Sequence, residues 1–344
     1  MAGGGGGERK SVLVVMESSN KAYLVFHINM KDLLQCRPRP ERERQMEMRT
    51  LPSPAGEIPK LVGQMERIDF TLTVGGATMV GVSSQRRTVT YDTRSGLVSS
   101  AGPELQHHKM GGSYVVPIGR RIYALQRHHG VFAQAQQPSG EVCAARLTQE
   151  WRSLPEPPPD FRCVSSHLPT CQLTAYLAAG TSLWVSAKDR GTYSLDTAWR
   201  KDGDWELPFC GRGVFVPDLD GLCFGHCFQR RRLLAVDMDQ SPPAVRYRWE
   251  DTFPRWVLDN HTGDLCGLMP ESSLVYLGAG RFCIAWTVVM HDADDYSLKR
   301  RLIHVMALQL LKTSTSSGHK ELRLIKHKVC CYRMPSHGQM AYLL

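Results

Sequence analysis

The residues best suited to bind a metal are Cys223, His226 and Cys227, with Cys210 and Cys266 more distant in the chain. Structural zinc takes four nitrogen or sulfur ligands, and two close pairs of ligands are its usual sequence sign. Only one close pair is present, and strand alternation would place Cys223 and Cys227 on one face with His226 opposite. The pattern therefore favours core cysteines, and we expect neither a metal nor another cofactor.

Two groups of aspartates are the candidates for calcium ligands: Asp218 with Asp220, and Asp292 with Asp294 and Asp295. Neither group has the ligand spacing or the bidentate glutamate of a calcium loop. We interpret both as turn residues.

Two histidine pairs, His107-His108 and His128-His129, lie in polar segments without a serine or cysteine nucleophile at a recognisable spacing. A Ser/His/Asp triad is assembled only in three dimensions, so one sequence leaves it open. Nothing in the chain indicates such a triad, and we expect the protein not to be an enzyme.

The elements that carry these residues are short apolar strands separated by glycine turns. A hairpin repeats around Gly76, Gly119, Gly180, Gly221 and Gly280, which are spaced on average about 50 residues apart, the period of kelch repeats. The repeat predicts hairpins that begin near Val12, Thr78, Arg121, Thr181, Leu222 and Arg281.

Composition is that of a globular protein, with 42% hydrophobic and 22% charged residues. No apolar run is long enough to span a bilayer, and residues 1–10 are predicted to be a flexible, glycine-rich tail without the apolar stretch of a signal peptide. The eleven cysteines are then expected to be reduced thiols. We expect a cytoplasmic or nuclear protein, without membrane attachment and monomeric.

Several short motifs resemble kelch repeats. Tyr91-Asp92-Thr93 and Leu195-Asp196-Thr197 occupy matching third strands, and Trp151 and Trp205 each precede a Leu-Pro pair. Double glycines occur only at Gly75-Gly76 and Gly111-Gly112, which departs from the kelch pattern. The chain is similar to a large uncharacterised family of kelch-like proteins of plants, especially grasses, and this resemblance implies a β-propeller without an established activity.

We therefore predict an all-β fold, a single β-propeller of about six kelch-like blades over residues 11–344. The N-terminal hairpin, Val12–Met16 with Ala22–Ile28, lacks a first strand, and Met340–Leu344 resembles the first strands of other units. Pairing of the N- and C-terminal strands would close the ring and remove two sheet edges. Residues 36–60, rich in Pro, Arg and Glu, are predicted to form an inserted, solvated loop.

The turns between second and third strands should share one side of a propeller, and none of them is net negative, in a chain of formal net charge +9. Their basic residues are the candidate partner-binding set: Arg86, Arg87, Arg127, Lys188, Arg190, Arg230, Arg231, Arg232, Arg300 and Arg301. We predict a protein-interaction module that favours acidic partners. The alternatives are a phosphate-bearing ligand, either nucleic acid or an inositol-phosphate-like molecule, on the same arginines and, by fold analogy alone, a propeller enzyme.

Overall fold

The computed structural model describes residues 9–18, 21–34, 47–61, 66–109, 112–126, 140–144, 150–155, 173–227, 232–250, 252, 274–291, 299–314, 320–334 and 338–344. This part of the chain is all-β, with one short helix, α1, at Lys31–Leu34. None of its helices is long and apolar enough to cross a membrane.

The strands are mostly short, five to eight residues, apart from three long ones near the C-terminus. In chain order they are β1 Ser11–Ser18, β2 Ala22–Asn29, β3 Glu47–Thr50, β4 Gly56–Pro59, β5 Ile68–Leu72, β6 Thr78–Ser83, β7 Thr88–Asp92, β8 Val98–Ser99, β9 Ser113–Ile118, β10 Arg121–Gln126, β11 Gly140–Ala144, β12 Arg152–Ser153, β13 Leu173–Ala179, β14 Ser182–Ala187, β15 Gly191–Leu195, β16 Trp199–Gly203, β17 Cys210–Val216, β18 Leu222–Cys227, β19 Arg232–Asp237, β20 Ala244–Trp249, β21 Leu274–Gly278, β22 Arg281–His291, β23 Lys299–Ser314, β24 Lys320–Arg333 and β25 Gly338–Leu343.

The chain divides into two compact units. Unit 1 comprises Met1–Glu57, Val216–Val236 and Val245–Leu344, and unit 2 comprises Ile58–Phe215 and Asp237–Ala244.

Unit 2 contains three sheets of consecutive antiparallel strands, β5-β6-β7-β8, β9-β10-β11-β12 and β13-β14-β15-β16, and β17 adds to β13 in parallel. The second strand of each sheet is a short apolar run that is buried along most of its length, as expected of a strand covered on both faces. Val80 and Val82 of β6 and Leu183 and Val185 of β14 are fully buried. The apolar core of this unit therefore follows the sheet centres.

Unit 1 contains the sheet β25-β1-β2-β4, the consecutive strands β18-β19-β20 and the sheet β21-β22-β23-β24-β3. One core cluster joins its first and last sheets, and includes Val12, Val14, Phe26, Ile303, Val305 and Cys330. Burial of these side chains is the main favourable contribution to packing in this unit.

The predicted hairpins are confirmed at the level of single strands. β1, β6, β10, β14, β18 and β22 each begin within one residue of the predicted positions. The five anchor glycines all have positive φ, between +55° and +71°. Glycine adopts this left-handed conformation without the steric cost that a Cβ brings, which explains its recurrence at the turns.

The terminal strands also pair as predicted. β25 lies antiparallel to β1, with Val14 opposite Leu343, and the amides and carbonyls of Leu13 and Leu344 exchange hydrogen bonds of 2.8 and 2.9 Å. Tyr342 and Leu343 are buried. The last residues of the chain thus supply a strand that precedes β1 in its sheet.

The prediction of a loop over residues 36–60 differs from the structure at residues 47–50 and 56–59, whereas residues 36–46 lie outside the described part of the chain. Within it, β3 adds in parallel to β24 and β4 lies beside β2 at a sheet edge. Both strands are four residues long and lie at edges, where only one side of the ladder needs donors and proline is tolerated. The many prolines of this segment argue against a central strand, but they are compatible with strands at a sheet edge.

Candidate functional site: the basic turns

The β6–β7 turn positions Arg86 and Arg87. The Arg86 amide donates to the Ser83 carbonyl at 3.1 Å, the Ser83 amide donates to the Arg87 carbonyl at 2.8 Å, and Arg86 has φ +70°. A hairpin turn of this kind places the two successive arginines at the end of the sheet.

Arg87 is held by the carboxylate of Glu66, two residues before β5. Its Nε lies 3.1 Å from Glu66 Oε1 and its Nη2 lies 2.7 Å from Glu66 Oε2, a bidentate pair. The remaining donors reach the Pro59 carbonyl at 2.8 Å and the Ser100 hydroxyl at 3.3 Å. With every nitrogen engaged and its side chain only 15% exposed, Arg87 is a structural residue rather than an open ligand contact.

Glu66 is fully buried beneath this turn. Burial raises the pKa of its carboxyl, but hydrogen bonds from Arg87, the Ser83 hydroxyl and the Leu61 amide, together with the Arg87 charge, outweigh burial and hold the pKa below its ordinary value. The carboxylate therefore stays charged near neutral pH and fixes the turn above it.

Arg86 is more accessible. Its Nε donates to the Leu105 carbonyl at 2.6 Å, its Nη2 lies 3.2 Å from Glu104, and its side chain is 38% exposed. The guanidinium is bonded to the protein through Nε and Nη2, while more than a third of the side chain stays accessible to a partner.

The β14–β15 turn, on another sheet of unit 2, carries Lys188 and Arg190. Lys188 is exposed, and Asp189 has φ +58°. A carboxylate again supports the turn from below, because Glu206 Oε1 accepts the Asp189 amide at 2.9 Å and Oε2 accepts the Thr174 hydroxyl at 3.2 Å.

In unit 1 the described members of the predicted basic set lie in strands and not in turns. Arg232 begins β19 and forms an ion pair with Glu250. Arg300 and Arg301 lie within β23, opposite Met290 and Val289 of β22, so their placement in a turn was wrong. The hairpin extends further than its apolar pattern indicated, because a strand pair can continue beyond the core wherever its backbone groups stay bonded. Arg127, Arg230 and Arg231 lie outside the described residues.

The candidate metal ligands are placed in the core or in structural contacts. Cys223, His226 and Cys227 lie in β18, which is buried along its whole length, and burial lowers the pKa of His226 to about 3. Asp218 accepts a short hydrogen bond from the Tyr276 hydroxyl, and Asp220 pairs with Lys312 at 2.7 Å.

No group of three or more possible metal ligands occurs in the part of the chain that the structure describes. Cys266, His128-His129 and the group Asp292, Asp294 and Asp295 fall outside it. His108 lies near the β6–β7 turn, with Nδ1 3.2 Å from the Ser84 carbonyl.

Four residues that the sequence analysis missed are the acidic supports of the turns: Glu66, Glu104, Glu206 and Glu250. Each lies 17 to 21 residues from the turn residue that it contacts. Separations of this length leave no local signal in the sequence. Only the tertiary contacts identify them.

The chain is similar to known proteins in sequence and in structure. The model of a family described as "Protein of unknown function (DUF1668)" matches residues 8–332. No curated protein matches the chain.

Three solved structures are similar to the chain over most of its length. A functionally unknown protein from Desulfotomaculum acetoxidans DSM 771 has a TM-score of 0.46 and 11% identity, covering 92% of this chain and 80% of that one. The periplasmic gluconolactonase PpgL of Pseudomonas aeruginosa has a TM-score of 0.45 and 10% identity, covering 94% of this chain and 99% of that one. The β-propeller domain of Cps50 (Swd1) from Myceliophteria thermophila has a TM-score of 0.41 and 11% identity, covering 92% of this chain and 86% of that one.

Proposed function

The chain belongs to the DUF1668 family of proteins of unknown function, and from that premise we propose that it is a non-enzymatic protein-interaction module built as a β-propeller of about six kelch-like blades. Its basic turns favour an acidic segment of a partner protein.

The order of the strands supports the propeller. Sheets of consecutive antiparallel strands recur along the chain as β5–β8, β9–β12, β13–β16, β18–β20 and β21–β24, and β25 completes the sheet of β1 and β2. A sheet built from both chain ends is a common way to close a ring of blades, because it removes strand edges that would otherwise pair with other molecules.

The observation that carries the interaction role is the carboxylate support of the turns, which is buried at Glu66 and exposed at Glu206. Glu66 fixes the β6–β7 turn through Arg87, and Glu206 fixes the β14–β15 turn through the Asp189 amide. Turns that are already ordered lose little conformational entropy on binding, so the exposed residues at their tips are preorganised for a partner.

The basic residues then divide by role. Arg87 is a positioning residue, whereas Arg86, Lys188 and Arg190 are the proposed contacts to an acidic partner. Arg127, Arg230 and Arg231, which lie outside the described residues, enter the proposal through the sequence. Arg232, Arg300 and Arg301 lie in strands and are not part of it. Arginine also suits a phosphate group, and the test below separates the two ligands.

The test is a titration of the full chain with a fluorescein-labelled peptide of ten glutamates, followed by fluorescence anisotropy. Binding should weaken as salt rises from about 0.05 M to about 0.3 M, because exposed charges are screened. The double variant Lys188→Ala/Arg190→Ala should bind about fivefold more weakly, from two surface contacts of about 0.5 kcal/mol each, one at the exposed Lys188 and one at the half-buried Arg190.

The matched control is Arg94→Ala/Arg120→Ala, which removes the same charge from exposed residues in the β7–β8 and β9–β10 turns at the other ends of their sheets. An equal loss in both double variants, or binding that ignores salt, would contradict the proposal. A short single-stranded RNA that binds more tightly than the peptide and depends on Lys188 and Arg190 would assign the turns to a phosphate-bearing ligand instead.

A further inference from the structure

The carboxylate that faces Arg86 differs from the one that holds its neighbour Arg87. Glu104 Oε2 lies 3.2 Å from Arg86 Nη2, and the Glu104 side chain is 75% exposed. Glu66, in contrast, is fully buried and contacts Arg87 through both carboxylate oxygens. The two successive arginines of the β6–β7 turn are therefore paired with one carboxylate in the core and one in solvent.

The backbone on either side of Glu104 is anchored to the protein. The Pro103 carbonyl accepts the Thr88 hydroxyl at 2.7 Å. Leu105 is fully buried, its amide donates to the Arg86 carbonyl at 2.8 Å, and its carbonyl accepts from Arg86 Nε at 2.6 Å. The Glu104 side chain thus extends into water from a fixed main chain, and its carboxylate leaves Arg86 by rotation of side-chain torsions alone.

The contact between Glu104 and Arg86 is of the kind that is easily exchanged. Ion pairs between exposed side chains favour the paired state by no more than about fivefold, because water solvates both charges when they separate. Arg86 keeps its bond to the Leu105 carbonyl when Glu104 leaves, so the guanidinium retains its orientation. A carboxylate from another molecule therefore finds Arg86 already positioned.

We propose that Glu104 is an internal ligand of Arg86, which a carboxylate of the acidic partner replaces on binding. The inference rests on the proposed interaction function and adds a residue that sets the affinity of the same site. Glu104 occupies Nη2 of Arg86 in the free protein and repels an approaching acidic segment. Both effects act against binding.

This competition determines which acidic ligands the site accepts. A single carboxylate gains at Arg86 only what Glu104 loses there, so the exchange by itself is nearly neutral. A segment with several acidic residues gains further contacts at other basic residues in the same binding event, which raises the effective concentration of its carboxylates at Arg86. Glu104 thus favours extended acidic segments over isolated carboxylates.

The test measures the affinity of the full chain for the fluorescein-labelled peptide of ten glutamates, by fluorescence anisotropy at about 0.15 M salt. Glu104→Gln keeps the shape of the side chain and removes its charge. This variant should bind the peptide about threefold more tightly, because the competing carboxylate is gone. Thermal unfolding checks that the fold is retained.

The matched control is Glu150→Gln, which removes the same charge from an exposed residue two positions before β12. Charges further than about 8 Å apart are largely screened at this salt concentration. The control should therefore bind like the unmodified chain. An equal gain in both variants would show a general effect of net charge and would overturn the inference.

A double-mutant cycle with Arg86→Ala locates the effect at the proposed contact. Glu104→Gln/Arg86→Ala should bind the peptide no more tightly than Arg86→Ala alone, because no guanidinium remains for Glu104 to occupy. A threefold gain that persists without Arg86 would mean that Glu104 acts elsewhere, and it would overturn the inference.

The outcomes separate this inference from the proposed function. If Lys188→Ala/Arg190→Ala weakens binding and Glu104→Gln binds like the control, the inference is overturned and the basic turns remain the partner site. If neither the unmodified chain nor Glu104→Gln binds the peptide, both proposals are overturned. A gain on Glu104→Gln that appears with single-stranded RNA and not with the peptide overturns the assignment of a carboxylate as the replacing ligand.

Discussion

Arg87 and Lys188 show that two basic residues at equivalent turns can have different roles. Arg87 donates to Glu66, Pro59 and Ser100, so its removal would leave a buried carboxylate without its partner. Losing one member of a buried ion pair costs about 3–5 kcal/mol, far more than losing an exposed lysine. The spacing of charges along a chain does not distinguish these cases, because the distinction depends on what lies beneath the turn.

His226 makes stability depend on pH. Burial lowers its pKa to about 3, against an ordinary value of 6.5, so the folded chain keeps the imidazole neutral while the unfolded chain takes up a proton as pH falls. This group's contribution to stability is intact above pH 6.5 and is lost progressively as pH falls towards 3. Between about pH 7 and about pH 5, the free energy of unfolding should decrease by about 2 kcal/mol from this residue.

Urea unfolding of the unmodified chain and of His226→Leu at the two pH values measures this effect. The variant should show a smaller decrease in the free energy of unfolding, by about that amount. His108→Gln is the control, because its side chain is exposed and stays in water on folding. An undiminished pH dependence in His226→Leu would assign the effect to other groups.

At the scale of elements, the strands from the two chain ends, β1 and β25, pair with each other in the first sheet of unit 1. β1 lies between β2 and β25, so both sides of its backbone are paired. The position of β25 is maintained by this ladder and by burial of Tyr342, Leu343 and Leu344.

Deletion of Met340–Leu344 should lower stability by more than about 4 kcal/mol, because it removes three buried side chains and leaves β1 as an unpaired edge. The exposed edge should also promote aggregation. Differential scanning calorimetry and light scattering measure the two effects. Deletion of Gly3–Gly7, five residues from the predicted tail, is the control, and equal melting of the two truncated chains would contradict the role of β25.

At the scale of the whole molecule, charge governs association in solution. The formal net charge is +9 and the isoelectric point of the sequence is about 9.0. Repulsion between molecules keeps a strongly charged protein dispersed, and this repulsion vanishes as the net charge approaches zero. The ion pairs of the turns leave this total unchanged, because they redistribute charge locally.

Solubility at low salt should therefore pass through a minimum near pH 9 and rise on either side of it. Turbidity of concentrated samples between about pH 5 and about pH 11, measured at low salt and again at about 0.15 M, tests this expectation. A minimum near pH 6 or 7 would indicate that solubility is controlled by something other than net charge.

The pattern of the chain was sufficient to predict the hairpins. Glycines at Gly76, Gly119, Gly180, Gly221 and Gly280 have the positive φ that their recurrence implied, and the following strands start where the apolar runs begin. The pairing of β25 with β1 was also predictable, because a sheet without a first strand and a leftover first-strand sequence complement each other. These features are local, or depend on the similarity of short segments.

What only the tertiary structure decided depends on contacts between distant residues. β3 and β4 occupy sheet edges, which tolerate prolines, so their sequences looked like a loop. Glu66 and Glu206 contact turns 21 and 17 residues away, and the low exposure of Arg87 accompanies its pairing with Glu66. β3 pairs with the last four residues of β24, and no spacing along the chain indicates which strand it joins. Local conformation follows from residue type, whereas burial and charge neutralisation follow from which segments meet in space.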